Sequence, residues 1–420
     1  MKTSKKAVTT LKAAALVVGL FAGACAHATT YTYRVPAQGV TGAYTWEGGG
    51  GGAAVPGAVN VSFAGAGRYG ASALKVDGTM WTSGAIMGAL PSSNGAPTNR
   101  TTFAPIADTS KFIYVANRTS SLLAVKDDGT LWASGYNDQG QLGDGTMTNR
   151  LGVLVQVGNG ATNFVMADAS SQTSVALKQD GTIWGAGRNF SAEIGGPSAT
   201  QYTSFVNLAN GEKFVWVGAI RDGAHALKAD GTLWNVGRND GGGMGDGSCG
   251  TGSMCYKWPW GPSGGAHRFV QVAPSSWWTV ARKADGTLWC AGGSYGGKFG
   301  VPDASVWKDF AACGPGHVFT DVAVGSGHTI ALKADGTIWA TGDNGMGQFG
   351  NGTTTSTTAF VQVDGGRGPF VKVMSSWDSS TSMALHADGS LWVTGNNSWM
   401  GHIGAGAASQ VTTWTKVLPE

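Results

Sequence analysis

Seven times along 420 residues the chain writes nearly the same twelve-residue phrase, as in "ALKQDGTIWGAG" from Ala176, "ALKADGTLWNVG" from Ala226 and "ALKADGTIWATG" from Ala331. The aspartates of the copies are Asp77, Asp128, Asp180, Asp230, Asp285, Asp335 and Asp388. Four residues after each stands a tryptophan, from Trp81 to Trp392, and seven after each a glycine, from Gly84 to Gly395. A fixed period of about fifty residues means one supersecondary unit stacked on itself, because no single unit of that size buries its own apolar face. The phrase reads as two short strands joined by an Asp-Gly turn, whose glycine accepts the positive φ of a tight hairpin. In the sixth unit "FTDVA" (Phe319–Ala323) precedes it and "FVQV" (Phe360–Val363) comes after it. Strands A to D per unit, seven times over, predict an all-β, seven-bladed β-propeller of four-stranded antiparallel blades. In that reading the alanine four before each aspartate lies where strands crowd, and the tryptophan fills the wedge between blades.

Composition supports this architecture. Glycine is 69 of the 420 residues, and glutamate occurs only at Glu47, Glu193, Glu212 and Glu420. A formal net charge of +3 is too small for a nucleic-acid partner, which requires a dense one-sided array of Lys and Arg.

Residues 1–28 read as a signal peptide. Lys2, Lys5, Lys6 and Lys12 precede the apolar stretch "AAALVVGLFAGA", and "AHA" (Ala26–Ala28) is a small-x-small cleavage site. The expectation is a secreted, periplasmic or cell-surface protein beginning near Thr29, with no transmembrane segment. A lipoprotein anchored at Cys25 is the alternative, although Ala22 stands where such sites usually carry leucine. Four cysteines remain, Cys249, Cys255, Cys290 and Cys313. In an exported chain they suggest the disulfides Cys249–Cys255 and Cys290–Cys313. Their spacing does not suit zinc, and neither a metal nor a cofactor is expected. Residues 29–58 form an N-terminal segment in which "YTYRV" (Tyr31–Val35) or "AYTW" (Ala43–Trp46) could add a strand to the last blade. Gly48–Gly52 would be the connection, and residues 59–420 the propeller.

The repeats also resemble those of the regulator of chromosome condensation family. The resemblance rests on the phrase together with the segments directly after it, "YNDQGQLGDGT" (Tyr136–Thr146) and "DNGMGQFGNGT" (Asp343–Thr353). It runs from about Asn60 to the C-terminus, is sharpest in repeats two and six, and weakens in one and five, where "GQLG" is lost. It implies a seven-bladed propeller. For the nuclear member it implies nucleotide exchange on a small GTPase and contact with chromatin, which the export signal argues against carrying over. Secreted relatives with similar repeats include propellers that bind and inhibit β-lactamases through loop aromatics.

Antiparallel blades send their A–B and C–D loops to one face and their B–C turns to the other. The B–C turns are uniform, whereas the A–B loops differ in every repeat. They carry Tyr69, Asn117 with Arg118, Gln172, Arg221 with Asp222, Trp277 with Trp278, His328, and Trp377 with Asp378. The longest C–D insertion, "GDGSCGTGSMCYKWPWG" (Gly245–Gly261), adds Tyr256, Trp258 and Trp260, of which Tyr256 and Trp258 could equally be strand D of blade four. Variable loops on a regular scaffold are where recognition usually lies. The expected function is that of a monomeric binding module for a protein or glycan. Two plainer readings stand beside it: Trp277 or Trp278 as core, and His328 as a structural histidine. A secreted polysaccharide hydrolase is the alternative class. It would need a carboxylate pair or a nucleophile with its base. With seven aspartates in turns and no Ser-His-Asp constellation, no catalytic residue is identified.

Overall fold

The computed structural model describes residues 61–66, 70–84, 100–118, 121–190, 192–196, 201–208, 211–248, 255–302, 305–376, 378–398 and 402–418. These form seven four-stranded antiparallel sheets, each built from four consecutive strands. Blade one comprises Val61–Ala66, Gly70–Lys75, Met80–Gly84 and Arg100–Pro105; blade seven comprises Phe370–Ser375, Thr381–His386, Leu391–Asn396 and Gln410–Leu418. The A strands of neighbouring blades touch one another around the ring, so A is the innermost strand and D the outermost. The expected leader, the 29–58 segment, Tyr69, Cys249 and Trp377 lie outside the described residues.

Each phrase folds alike. Gly78 N–H donates to the Lys75 carbonyl and Lys75 N–H to the Thr79 carbonyl, both at 2.9 Å, which makes a three-residue loop closed by a glycine at φ 83°. This is one residue longer than the two-residue turn that an Asp-Gly pair suggests. The aspartate side chain locks it: Asp128 Oδ1 accepts from the Thr130 N–H at 2.8 Å and from the Thr130 hydroxyl at 2.6 Å. That hydroxyl in turn accepts from the Trp132 indole at 2.8 Å, while the Lys126 ammonium sits 3.7 Å above the ring. The lysine-over-tryptophan pair recurs in blades one to six, and His386 takes the lysine's place beside Trp392 in blade seven.

The phrase also joins blades. The carbonyl of the turn glycine accepts the backbone N–H of the phenylalanine that opens the next blade, as from Phe164 to Gly129 at 3.0 Å and from Phe319 to Gly286 at 2.9 Å. Uniform turns on that face are the consequence of this shared joint.

The wedge between blades is shared: the repeated tryptophans pack against the clusters that join neighbouring blades, as Trp184 does between blades two and three and Trp339 between five and six, and a second aromatic lies deeper. The repeated tryptophans are only half-buried, because the lysine cap holds them near the B–C face. The deeper aromatic belongs to strand D. Phe205, Trp260, Phe310, Phe360, Trp414 and Phe103 are buried, each under a glycine from the C–D loop of the preceding blade. The last pairing closes the ring. Gly404 of blade seven (φ 78°) lies on Phe103 of blade one, so close that a Cβ there would stand 2.4 Å from the ring. Gly406 N–H donates to the Thr101 carbonyl at 2.8 Å, and the Ser83 hydroxyl to the His402 carbonyl at 2.9 Å. Blade seven takes all four strands from Phe370–Leu418; the strand expected from residues 31–35 or 43–46 falls outside the described residues.

Cys290 and Cys313, on strands C and D of blade five, form a disulfide with Cα atoms 5.9 Å apart. Cys255 is disulfide-bonded as well, and its expected partner Cys249 lies outside the described residues.

Candidate functional site

In blades two, three, four, six and seven the C–D loop is folded around a buried asparagine. Asn137 Oδ1 accepts from the Leu142 N–H at 2.9 Å, while Nδ2 donates to Asp144 Oδ1 and to the Thr146 and Thr148 carbonyls. Asn344 does the same in blade six, and Asn189, Asn239 and Asn397 accept from Ile194, Met244 and Ile403. The polar loop residues are thereby consumed in shaping the loop. Among the described residues no three His, Cys, Asp or Glu side chains gather as a metal site.

The A–B loops meet the end of strand C at the glycine that closes the phrase. At Gly292 (φ 100°) a Cβ would stand 2.3 Å from the Trp277 carbonyl, so this contact exists only with glycine there. Trp277 is turned outward, 43% exposed. Trp278 opens strand B opposite Gly292 and is 1% exposed, packed on Phe299 with ring centroids 5.7 Å apart. The face therefore presents the first tryptophan of the pair and not the second. His328 holds the same register position in blade six, opposite Gly342. It too is buried, its Nε2 2.9 Å from the Ser382 hydroxyl, and burial pushes its imidazole down to about 4. Trp260 is likewise removed from the candidate surface: its indole donates to the Ile194 carbonyl at 3.0 Å inside the wedge. Trp278 and His328 lie in B strands that are buried on both faces, and Trp260 lies in the wedge between blades.

Arg118 is a strut. Its Nε donates to Asp168 at 2.8 Å, and Asp168 also accepts from the Ala219 N–H of blade four. Burial raises the Asp168 carboxyl despite the arginine beside it. Asn117 is buried, and half-buried Asp378 accepts from the Ser376 hydroxyl at 2.6 Å.

Four of the expected residues do come together. Gln172 from the A–B loop of blade three, Arg221 and Asp222 from that of blade four, and Tyr256 at the start of strand D line one pocket of about 120 Å³. Arg188, Glu193 and Arg238 complete it. Arg188 lies 3.1 Å from Glu193 and donates to Gln172 Oε1 at 2.7 Å. Arg238 bonds Asp240 at 2.5 Å and Asp222 at 3.5 Å, pairings that hold its guanidinium more firmly protonated, Asp240 foremost. Its guanidinium also lies 5.5 Å from the Trp277 ring.

Tyr256 lines this pocket and Trp277 lies beside its Arg238; other exposed aromatics stand on the same face. Among the described residues the exposed aromatics are Phe190, Tyr256, Trp258, Trp277 and Tyr295. All five stand at the A–B or C–D ends of blades three, four and five. Tyr256 and Trp258 are in strand D (Tyr256–Ser263) and exposed as well, so the strand and surface readings hold together. Trp258, 54% exposed, donates its indole N–H to the Gly196 carbonyl of blade three at 3.3 Å.

Arg188, Arg238, Glu193, Phe190 and Tyr295 were not anticipated from sequence. A signal existed for the arginines: each directly follows the closing glycine of its phrase, in "GAGR" and "NVGR".

Residues 319–348 match the model of the Regulator of chromosome condensation (RCC1) repeat. Among solved structures, human WBSCR16 is similar with a TM-score of 0.68 and 17% identity, covering 79% of this chain and 91% of that one. Yeast RCC1 (Prp20), solved bound to Kap60, gives 0.65 and 15%, covering 76% and 78%. Prp20p from Saccharomyces cerevisiae, described with its binding to Gsp1p and histones, gives 0.64 and 16%, covering 75% and 80%. At these identities the likeness establishes the shared fold. No curated protein sequence matches the chain.

Proposed function

Taking as premise a seven-bladed propeller that carries the RCC1 repeat, we propose that the protein is an exported binding module whose partner, a protein, docks on the A–B and C–D face of blades three to five. The observation that carries this reading is the confinement of the exposed aromatics to one sector of one face, where Tyr256 and Trp277 border a pocket with three arginines. Trp, Tyr and Arg are the side chains that dominate protein-binding hot spots, and a cluster of exposed aromatic rings is costly to leave in water. A protein of similar fold, yeast RCC1 (Prp20), was solved bound to Kap60. Export rests on the composition of residues 1–28 and places the encounter outside the cytoplasm; it also argues against nucleotide exchange.

Binding is favoured over hydrolysis because the two carboxylates lining the pocket, Glu193 and Asp222, both lie against arginines. A glycan ligand is the second reading, favoured by the exposed indoles of Trp258 and Trp277. The test is capture of partners from cell-surface protein by the mature chain, beside a glycan array. Replacing Trp258 and Trp277 together by alanine is expected to abolish capture while leaving the circular dichroism unchanged. Undiminished capture by that folded variant overturns the proposal, and capture confined to glycans favours the second reading.

A further inference from the structure

The pocket between blades three and four has a definite hydrogen-bonding character. Arg188 donates from Nη1 to Gln172, and its Nε lies 3.1 Å from Glu193 as an ion pair without hydrogen-bond geometry. Arg238 spends Nε on Asp240 and Nη1 on Asp222. Arg221 stands apart. Its side chain is 57% exposed, and its one carboxylate neighbour, Asp222, lies 3.9 Å away and is already shared with Arg238. The acceptors of the wall are thus turned onto arginines that they hold in place, and Arg221 is the most exposed of the three guanidiniums, with the longest carboxylate contact. Asp222, Glu193 and Asp240 keep the neighbouring forks rigid, so little ordering remains when a ligand arrives.

A guanidinium fork is matched in geometry and charge by a carboxylate, which accepts two parallel hydrogen bonds. A cavity of about 120 Å³ admits the end of a side chain and not a folded element. Trp277, with Arg238 5.5 Å from its ring, and Tyr256 offer apolar surface beside it for the rest of an extended chain.

Resting on the docking surface proposed above, we infer that this pocket receives the carboxylate of an acidic side chain from the partner, with Arg221 as the closing fork, so that the partner presents an acidic peptide segment. The charged rim sets which partner is accepted, and the exposed aromatics on the same face supply the contact area.

The probe is a fluorescein-labelled glutamate-rich decapeptide, titrated into the full mature chain by fluorescence polarisation. The glutamine and lysine versions of the peptide serve as controls. The glutamate peptide is expected to bind at least roughly tenfold more tightly than either control, and to weaken as salt is raised from low to high ionic strength. Arg221→Gln is expected to remove about tenfold of that affinity, and Arg221→Lys to recover only part of it, since the charge returns without the fork. Arg221 is a surface residue, so the variants keep the wild-type melting profile.

Equal binding of the glutamine peptide overturns the inference, as does an Arg221→Gln variant that binds like wild type. Preference for a sulfated oligosaccharide over the glutamate peptide overturns the assignment of a carboxylate. Failure here with the tryptophan-dependent capture intact discards the pocket assignment alone; failure of both discards the docking face.

Discussion

Trp277 and Trp278 are neighbours in sequence with opposite fates, and separating them is a sharp test of which face of the loop is functional. Trp278→Ala removes a side chain that is 1% exposed and packed with Phe299, Val280 and Val322 in one core cluster. It also strips the ring from beneath Lys298, whose ammonium lies 5.1 Å away. Emptying such a site costs about 3–5 kcal/mol, because the transfer loss is joined by an unrelaxed cavity. Trp277→Ala removes a ring that is 43% exposed and leaves no enclosed void. Only the transfer of its covered part is lost, about 1–1.5 kcal/mol. Urea unfolding followed by tryptophan fluorescence and circular dichroism reads the difference, and partner capture reads the function. Trp278→Ala should unfold at distinctly lower urea, whereas Trp277→Ala should stay near wild type and lose capture. Equal destabilisation by the two, or lost capture in a folded Trp278→Ala alone, refutes the assignment.

Three further outcomes are expected. Trp339 is half-buried beneath Lys333, 3.6 Å from its ring, whereas Trp414 lies deeper in a wedge at 2% exposure; Trp339→Ala should therefore cost about 2 kcal/mol and Trp414→Ala about 3–5 kcal/mol, and the reverse order in thermal melts would make the repeated tryptophan the deeper filler. Gly404→Val places a side chain at φ 78° against Phe103 and should cost about 2–4 kcal/mol, with faster hydrogen exchange at the junction of blades one and seven; exchange accelerated elsewhere contradicts this closure. Burial lowers His225 to about 3 and His328 and His402 to about 4, so the unfolded chain, with histidine near 6.5, takes up protons first. Stability should be full above about pH 6.5 and fall as pH drops towards about 4; Asp128 and Asp230, lowered by their threonine hydrogen bonds, then add a loss at still lower pH. Urea midpoints that do not change between pH 7 and pH 4.5 contradict this.

The scaffold was open to reading because its signals are local: the Asp-Gly turn and the B and C strands of five or six residues on either side of it repeat where they were expected, while the aspartate's bond to the threonine two residues on came with the structure. The burial of Trp278 and His328 was available too. Both lie three residues before the phrase alanines Ala281 and Ala331, within strand B and opposite the closing glycines. Counting from the phrase separates them from the loops. The tryptophan's place in the wedge was legible, but the buried aromatic of strand D was not, because it contacts the preceding blade about 60 residues away, as Gly143 meets Phe205. No spacing within one repeat encodes that contact. The pocket was half legible for the same reason. Gln172, Arg221, Asp222 and Tyr256 stood out as loop variations, but the ion pairs of Arg188 and Arg238 depend on loop paths set by Asn189 and Asn239.

The central claim is that recognition is confined to the A–B and C–D ends of blades three to five. Photocrosslinking residues installed singly at Phe190, Tyr295 and Trp258 sample that sector, and the same residue at Val76 and Val318, both exposed beside the B–C turns, samples the opposite face. With captured partner present, the account predicts crosslinks from the first three positions and none from the last two. Crosslinks from Val76 or Val318, with Phe190, Tyr295 and Trp258 silent, would contradict it.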